Sequence, residues 1–174
     1  VFKEPGEYDF DESSGIFNYE AKKYIKDGIY TDLPYLSRDW IHYWDDQKDK
    51  CRNGLIVNNK GKSWYLTRDY YMWLNFLPIF QKQKSKTDFP KIYDSQYHQA
   101  LVETVAFYKK KHVITLKKRQ WAASYFHMAK LINHLWFEEG ITLKLLASSE
   151  DFINLKGDWA FLEGYRDFLN EHTA

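Results

Sequence analysis

The stretch from His112 to about Asn170 constrains the fold most, because hydrophobic periodicity changes along it in a fixed order. His112-Val113-Ile114-Thr115-Leu116 is a short, continuous β-branched run, the pattern of a strand covered on both faces. Lys117-Lys118-Arg119-Gln120-Trp121-Ala122-Ala123 is a basic loop. From Ser124 to Phe137, Phe126, Leu131 and Leu135, with Ala129 and Ile132 nearby, recur at helical spacing, and Glu138-Glu139-Gly140 ends the helix. Ile141-Thr142-Leu143-Lys144-Leu145-Leu146-Ala147 predicts a second strand, and Ser148 or Ser149 is placed to cap a last helix to about Asn170. Strand, loop, helix, strand, helix implies a right-handed crossover in a parallel sheet, so the expected class is α/β.

Upstream the chain predicts a helical and β-hairpin extension to that sheet. Residues 1–33 read as an extended arm with one short helix at Tyr19–Lys26, and 34–174 as the main domain. Leu36, Trp40, Ile41 and Trp44 mark a helix capped by Ser37. Gly54–Val57 and Ser63–Leu66, flanking a polar turn with Gly61, predict a hairpin. Thr67 is positioned to cap a buried aromatic helix, Arg68–Phe76, which Pro78 closes. Gln81–Asp88 is expected to be a solvated loop. A helix from Asp94 or Ser95 to about Lys110 is expected to bury the stripe Tyr97, Leu101, Val105 and Tyr108, with Lys109–Lys111 suiting the negative end of its dipole.

Composition narrows the chemistry. The formal net charge of +1 excludes a generally polybasic nucleic-acid binder, so an anion site must be local. Lys109–Lys111 with Lys117, Lys118 and Arg119 form the strongest basic patch, suited equally to phosphate, to DNA or to plain solvation. The single cysteine, Cys51, excludes an internal disulfide framework, fits a reducing compartment and is expected as a small buried thiol. His98 and His127 have no companions at metal-ligand spacing, and the neighbours Asp45-Asp46 and Glu138-Glu139 do not share a helix face. Trp40, Trp44, Trp64 and Trp73 are expected in the core. Trp121, inside the basic loop, is a candidate wall for a ligand or a contact to a neighbouring subunit. No apolar run approaches the roughly 18 residues needed to span a bilayer, and no signal peptide is evident. The start at Val1 rather than Met predicts a segment of a longer chain.

A phosphate loop places Gly, four residues, Gly, Lys and then Ser or Thr between a strand and a helix, so that backbone amides and the helix terminus hold phosphate. With Ser124 at the hydroxyl position, Ala123 stands at the Lys position, Ala122 at the second Gly and Lys117 at the first. The context fits and most consensus letters do not.

Arg119-Gln120-Trp121-Ala122-Ala123-Ser124 resembles the loop of phage terminase large subunits, matching at Arg119, Gln120 and Ser124. Lys62–Leu66 and Tyr70–Ile79 are similar to an aromatic hairpin and an aromatic helix of some tailed-phage members, and Phe89–Gln96 lies where that family has its adenine-side segment. The resemblance spans roughly Leu36 to Phe152. It implies the N-terminal part of a P-loop ATPase domain, incomplete at the C-terminus, from a motor that drives DNA into a capsid. It further implies ATP and Mg2+ bound by Lys117, Lys118, Arg119, Gln120, Trp121, Ala122, Ala123 and Ser124, with Ser124 on the metal and Gln96 at adenine. It implies double-stranded DNA, portal protein and small terminase as partners, a homo-oligomeric ring, no membrane, and the host cytoplasm as location. No run of four apolar residues followed by Asp-Glu occurs after Ala147, and no acidic nuclease cluster follows. Turnover by this segment alone is therefore not expected. The Ala122-Ala123 pair is open to two readings, an engineered knock-out of Gly-Lys or natural divergence. The alternative function is a non-catalytic module that has lost nucleotide and binds portal or another motor subunit.

Overall fold

The computed structural model describes residues 17–59, 61–81, 85–116, 122–144 and 157–173. In chain order these form α1 (Tyr19–Asp27), α2 (Arg38–Asn53), β1 (Leu55–Asn59), β2 (Lys62–Leu66), α3 (Arg68–Phe76), β3 (Ile79–Gln81), β4 (Lys86–Asp88), α4 (Asp94–Tyr108), α5 (Ala123–Phe137) and α6 (Asp158–His172).

The centre of the molecule is α3. Every residue from Asp69 to Leu77 is buried, because its sequence is aromatic or aliphatic on nearly all sides. Around it pack α1, α2, α4 and α5, and α6 covers α5. Trp44 and Trp73 lie in this core, Trp40 and Trp64 pack at its edge, and Cys51 is buried, as the sequence predicts.

Polar side chains from other elements complete the ends of helices. The last-turn carbonyl of Cys51 in α2 accepts from Asn133 Nδ2 at 2.8 Å, and that of Asn53 accepts from Tyr65 Oη at 2.8 Å. Asn75 in α3 gives its backbone carbonyl to Tyr30 Oη at 2.9 Å. Ser37 Oγ accepts from Trp40 N at 3.2 Å and caps α2 as expected. Thr67 departs from expectation: it stands at the α3 N-cap, but its buried hydroxyl makes no capping hydrogen bond.

The strands form two antiparallel hairpins. In β1–β2, Leu55 faces Leu66 and Asn59 faces Lys62. Gly54 links α2 to this hairpin at φ 78°, and a Cβ there would lie 2.4 Å from the Leu66 carbonyl oxygen, so only glycine fits. The second hairpin, β3–β4, pairs Ile79 with Asp88 and Gln81 with Lys86, where a solvated loop is expected from sequence.

Two expectations are corrected here. The run His112–Leu116 is neither a strand nor buried: Ile114 is 89% and Leu116 94% exposed. Residues 141–144 are likewise irregular, and both sheets among the described residues are antiparallel. A parallel strand is held by ladder hydrogen bonds to flanking strands, and no such neighbour stands beside 112–116 among the described residues. The second correction concerns α4. It buries Gln96, Tyr97, Gln99, Ala100 and Glu103, while Val105 (50%) and Tyr108 (72%) are exposed. The expected stripe is therefore inward only in its first half, at Tyr97 and Leu101, and faces out in its second. The expected helix start at Ser148 or Ser149 and the continuation of 141–147 past Lys144 lie outside the described residues.

Candidate anion site at the start of α5

Of the predicted loop, Lys117, Lys118, Arg119, Gln120 and Trp121 lie outside the described residues; Ala122, Ala123 and Ser124 lie within them. Ala122 is the N-cap of α5 and adopts the left-handed conformation, φ 56° and ψ 18°. An L-residue with a Cβ enters that region at a cost of roughly 1 kcal/mol, whereas glycine enters freely. Phe126 N donates to the Ala122 carbonyl at 3.1 Å, which closes the first helical turn.

The N-cap residue, Ala122, has no side chain that could cap α5, and the first turn holds no acidic residue. The amides that open a helix carry partial positive charge and have no intrahelical acceptor. The Ser124 side chain is exposed beside them, and Ala123 is only 3% exposed. A methyl group thus occupies a closed position where a phosphate loop holds a lysine.

The first turn is fixed from two directions. Tyr125 stacks on Phe161 of α6 with ring centroids 4.1 Å apart, and its hydroxyl donates to the Phe80 carbonyl at 3.4 Å. Tyr165 Oη donates to the Tyr125 carbonyl at 3.3 Å.

The remaining predicted site residue, Gln96, sits in the first turn of α4 and is buried. Burial places its amide inside the protein rather than on an open pocket wall. The basic run Lys109-Lys110-Lys111-His112 is exposed throughout. It leaves α4 through a tight C-terminal turn: Lys110 N donates to the Phe107 carbonyl at 3.0 Å and Lys111 N to the Ala106 carbonyl at 2.8 Å. Lys110 is left-handed there, φ 51°.

Sequence reasoning missed two polar clusters. In the first, Glu103 of α4 accepts from Lys130 Nζ at 2.8 Å and Gln99 Nε2 at 2.6 Å, with His127 Nε2 at 3.2 Å. Burial alone would raise its carboxyl, but the hydrogen bonds from His127 and Lys130 and the Lys130 charge outweigh it and hold the group at about 2. In the second, Arg68 Nη2 lies 2.7 Å from His134 Nδ1 and bonds Glu138 Oε1. Burial and the adjacent guanidinium both push His134 below its ordinary value. Burial opposes ionisation of Glu138, yet Arg68 and His134 hold its carboxyl below the usual range. The spacings Gln99–Glu103 and His134–Glu138, four residues apart on helices, are the signal that sequence offered; the partners across helices gave none.

A small cavity lies between the clusters, lined by Tyr65, Arg68, Asp69, Thr104, Lys130 and His134 among others. Among the described residues, no group of three or more His, Cys, Asp or Glu gathers as a metal site. No described helix is long and apolar enough to cross a membrane. Comparison of the chain with protein-family models, with curated proteins and with solved structures finds no match.

Proposed function

We propose that the turn into α5 is a degenerate phosphate-binding loop, and that the chain is a nucleotide-binding portion of a viral DNA-packaging motor of the large-terminase kind. The observation that carries this reading is the backbone of Ala122. The residue aligned with the loop's second glycine is left-handed, at φ 56°, and opens a helix that its own methyl side chain cannot cap.

ATP fits this turn in part. The free amides of the α5 first turn would hold its phosphate oxygens, and the exposed Ser124 hydroxyl would reach its Mg2+. Lys117, Lys118 and Arg119 would supply positive charge in place of the absent loop lysine. Bound Mg2+ would neutralise charge on the outer phosphates. Double-stranded DNA, portal protein and small terminase, and assembly into a ring, belong to this proposal.

One observation favours a second reading. Ala123 is buried, so the lysine position holds a packed methyl group and the outer phosphates lose their usual partner. In that reading the chain binds portal or a neighbouring motor subunit without nucleotide. Calorimetric titration with Mg-ATP separates the two. Binding that disappears in Ser124→Ala supports the phosphate reading, and no heat at millimolar ATP supports the interaction module.

A further inference from the structure

The two halves of α4 are held to the molecule by different forces. Its first half is docked by apolar contact: Ala100 is fully buried, and Tyr97 meets Trp64 and Tyr70 with ring centroids 5.8 and 6.3 Å apart. Its second half turns apolar residues outward, with Val102, Val105, Phe107 and Tyr108 all exposed. The side chain fully committed inward there is Glu103, bound to Lys130 and His127 of α5 and to Gln99 of its own helix. Asp158 of α6 feels the charge of His127, and Arg68 and Asp69 of α3 line the cavity that Lys130 borders.

An ion cluster and an apolar contact fail under different conditions. Salt screens the first and strengthens the second. Removing one member of a buried ion cluster leaves the others uncompensated and destabilises its attachment strongly. Past Tyr108, the basic run Lys109–His112 is exposed, as are Val113, Ile114 and Leu116.

We propose that Glu103–Leu116 is an ionic latch: the second half of α4, with the basic and apolar run that follows it, opens as a unit while Tyr97 and Ala100 stay docked. Glu103 is the positioning residue that keeps it closed. Competing anions and high salt are the conditions that open it. The latch depends on the α4–α5 contacts alone and stands whether or not the turn binds nucleotide.

Amide hydrogen exchange, read by mass spectrometry on the whole chain, tests this. In Glu103→Gln, amides of residues 103–108 should exchange about tenfold faster or more, while those of 69–77 keep their wild-type rates. Raising salt from about 0.05 M to about 0.5 M should accelerate the same amides in the wild type, by less than the substitution does because the pair is largely buried, and leave the variant little changed. Lys130→Gln removes the same pair from the α5 side and should reproduce the pattern, which keeps the test decisive if Glu103→Gln folds poorly. Wild-type rates at 103–108 in a folded variant would overturn the latch. So would equal acceleration at 69–77, since Glu103 would then be a contact of the whole fold.

Discussion

Asn75 Oδ1 accepts the backbone N–H of Glu20 at 3.2 Å, across a separation of 55 residues, and so caps α1 from the last turn of α3. The neighbouring Ala21 N lies at 3.5 Å from the same oxygen, while Asn75 Nδ2 donates to the carbonyls of Phe17 at 3.1 Å and Tyr71 at 3.0 Å. The Asn18 side chain, at the α1 N-cap position, makes no capping bond. One fully buried amide therefore ties the first described helix to the core.

Replacing it should be costly. Asn75→Ala leaves buried donors and acceptors without partners, and a loss of about 2–4 kcal/mol is expected from chemical denaturation. Asn75→Asp keeps the acceptor and loses both donated bonds, so it should also destabilise. Wild-type stability in either variant would remove this amide from the account of how α1 is held.

Backbone conformation favours opposite substitutions at two exposed sites. Lys110 is left-handed in the turn that ends α4, so Lys110→Gly should stabilise by about 0.5–1 kcal/mol. Gly164 lies inside α6, and a Cβ there would meet nothing within 4 Å. Gly164→Ala should therefore also stabilise, by about 1 kcal/mol, through helix propensity. Thermal midpoints that rise in both variants bear this out; a fall in Lys110→Gly would mean that the C-terminal turn of α4 is not formed.

Acid should weaken the molecule in two steps. An unfolded histidine takes its proton near 6.5, and folded His134 resists until lower pH, so stability falls as pH drops below 6.5 through the folded value. An unfolded glutamate protonates near 4.5 and folded Glu103 holds out to about 2. That contribution is complete above 4.5 and lost as pH falls from 4.5 towards 2. Denaturation midpoints measured across pH should show both slopes. His134→Gln should flatten the upper one, and Glu103→Gln should reduce the lower one, to which Glu138 also contributes.

Helix positions were legible in the sequence because their signals are local. Ser37 capped α2 where expected, and the aromatic run at Tyr70–Phe76 is a buried helix. The facing of α4 was not legible, because that helix carries apolar residues on more than one side. Its orientation is decided by Tyr97 against Trp64 and by Glu103 against Lys130, contacts with distant partners. The β3–β4 hairpin escaped notice because strands of three residues are too short for readable alternation. At the candidate site, composition located the α5 start and could not foresee that Ala122 would be left-handed. The strand expected at Val113–Leu116 failed for a related reason: a β-branched run reports a preference, and neighbours decide whether a ladder forms.

The central claim is that the α5 turn retains the backbone of a phosphate loop whose side chains have changed. Nucleotide titration of Ala122→Gly/Ala123→Lys beside the wild type tests it most directly, with Ala122→Gly alone as the control for relieved strain. The account predicts that the double variant binds Mg-ATP more tightly by about 1–3 kcal/mol, the scale of a charge-assisted hydrogen bond. A folded double variant that binds Mg-ATP no better than the wild type would contradict it.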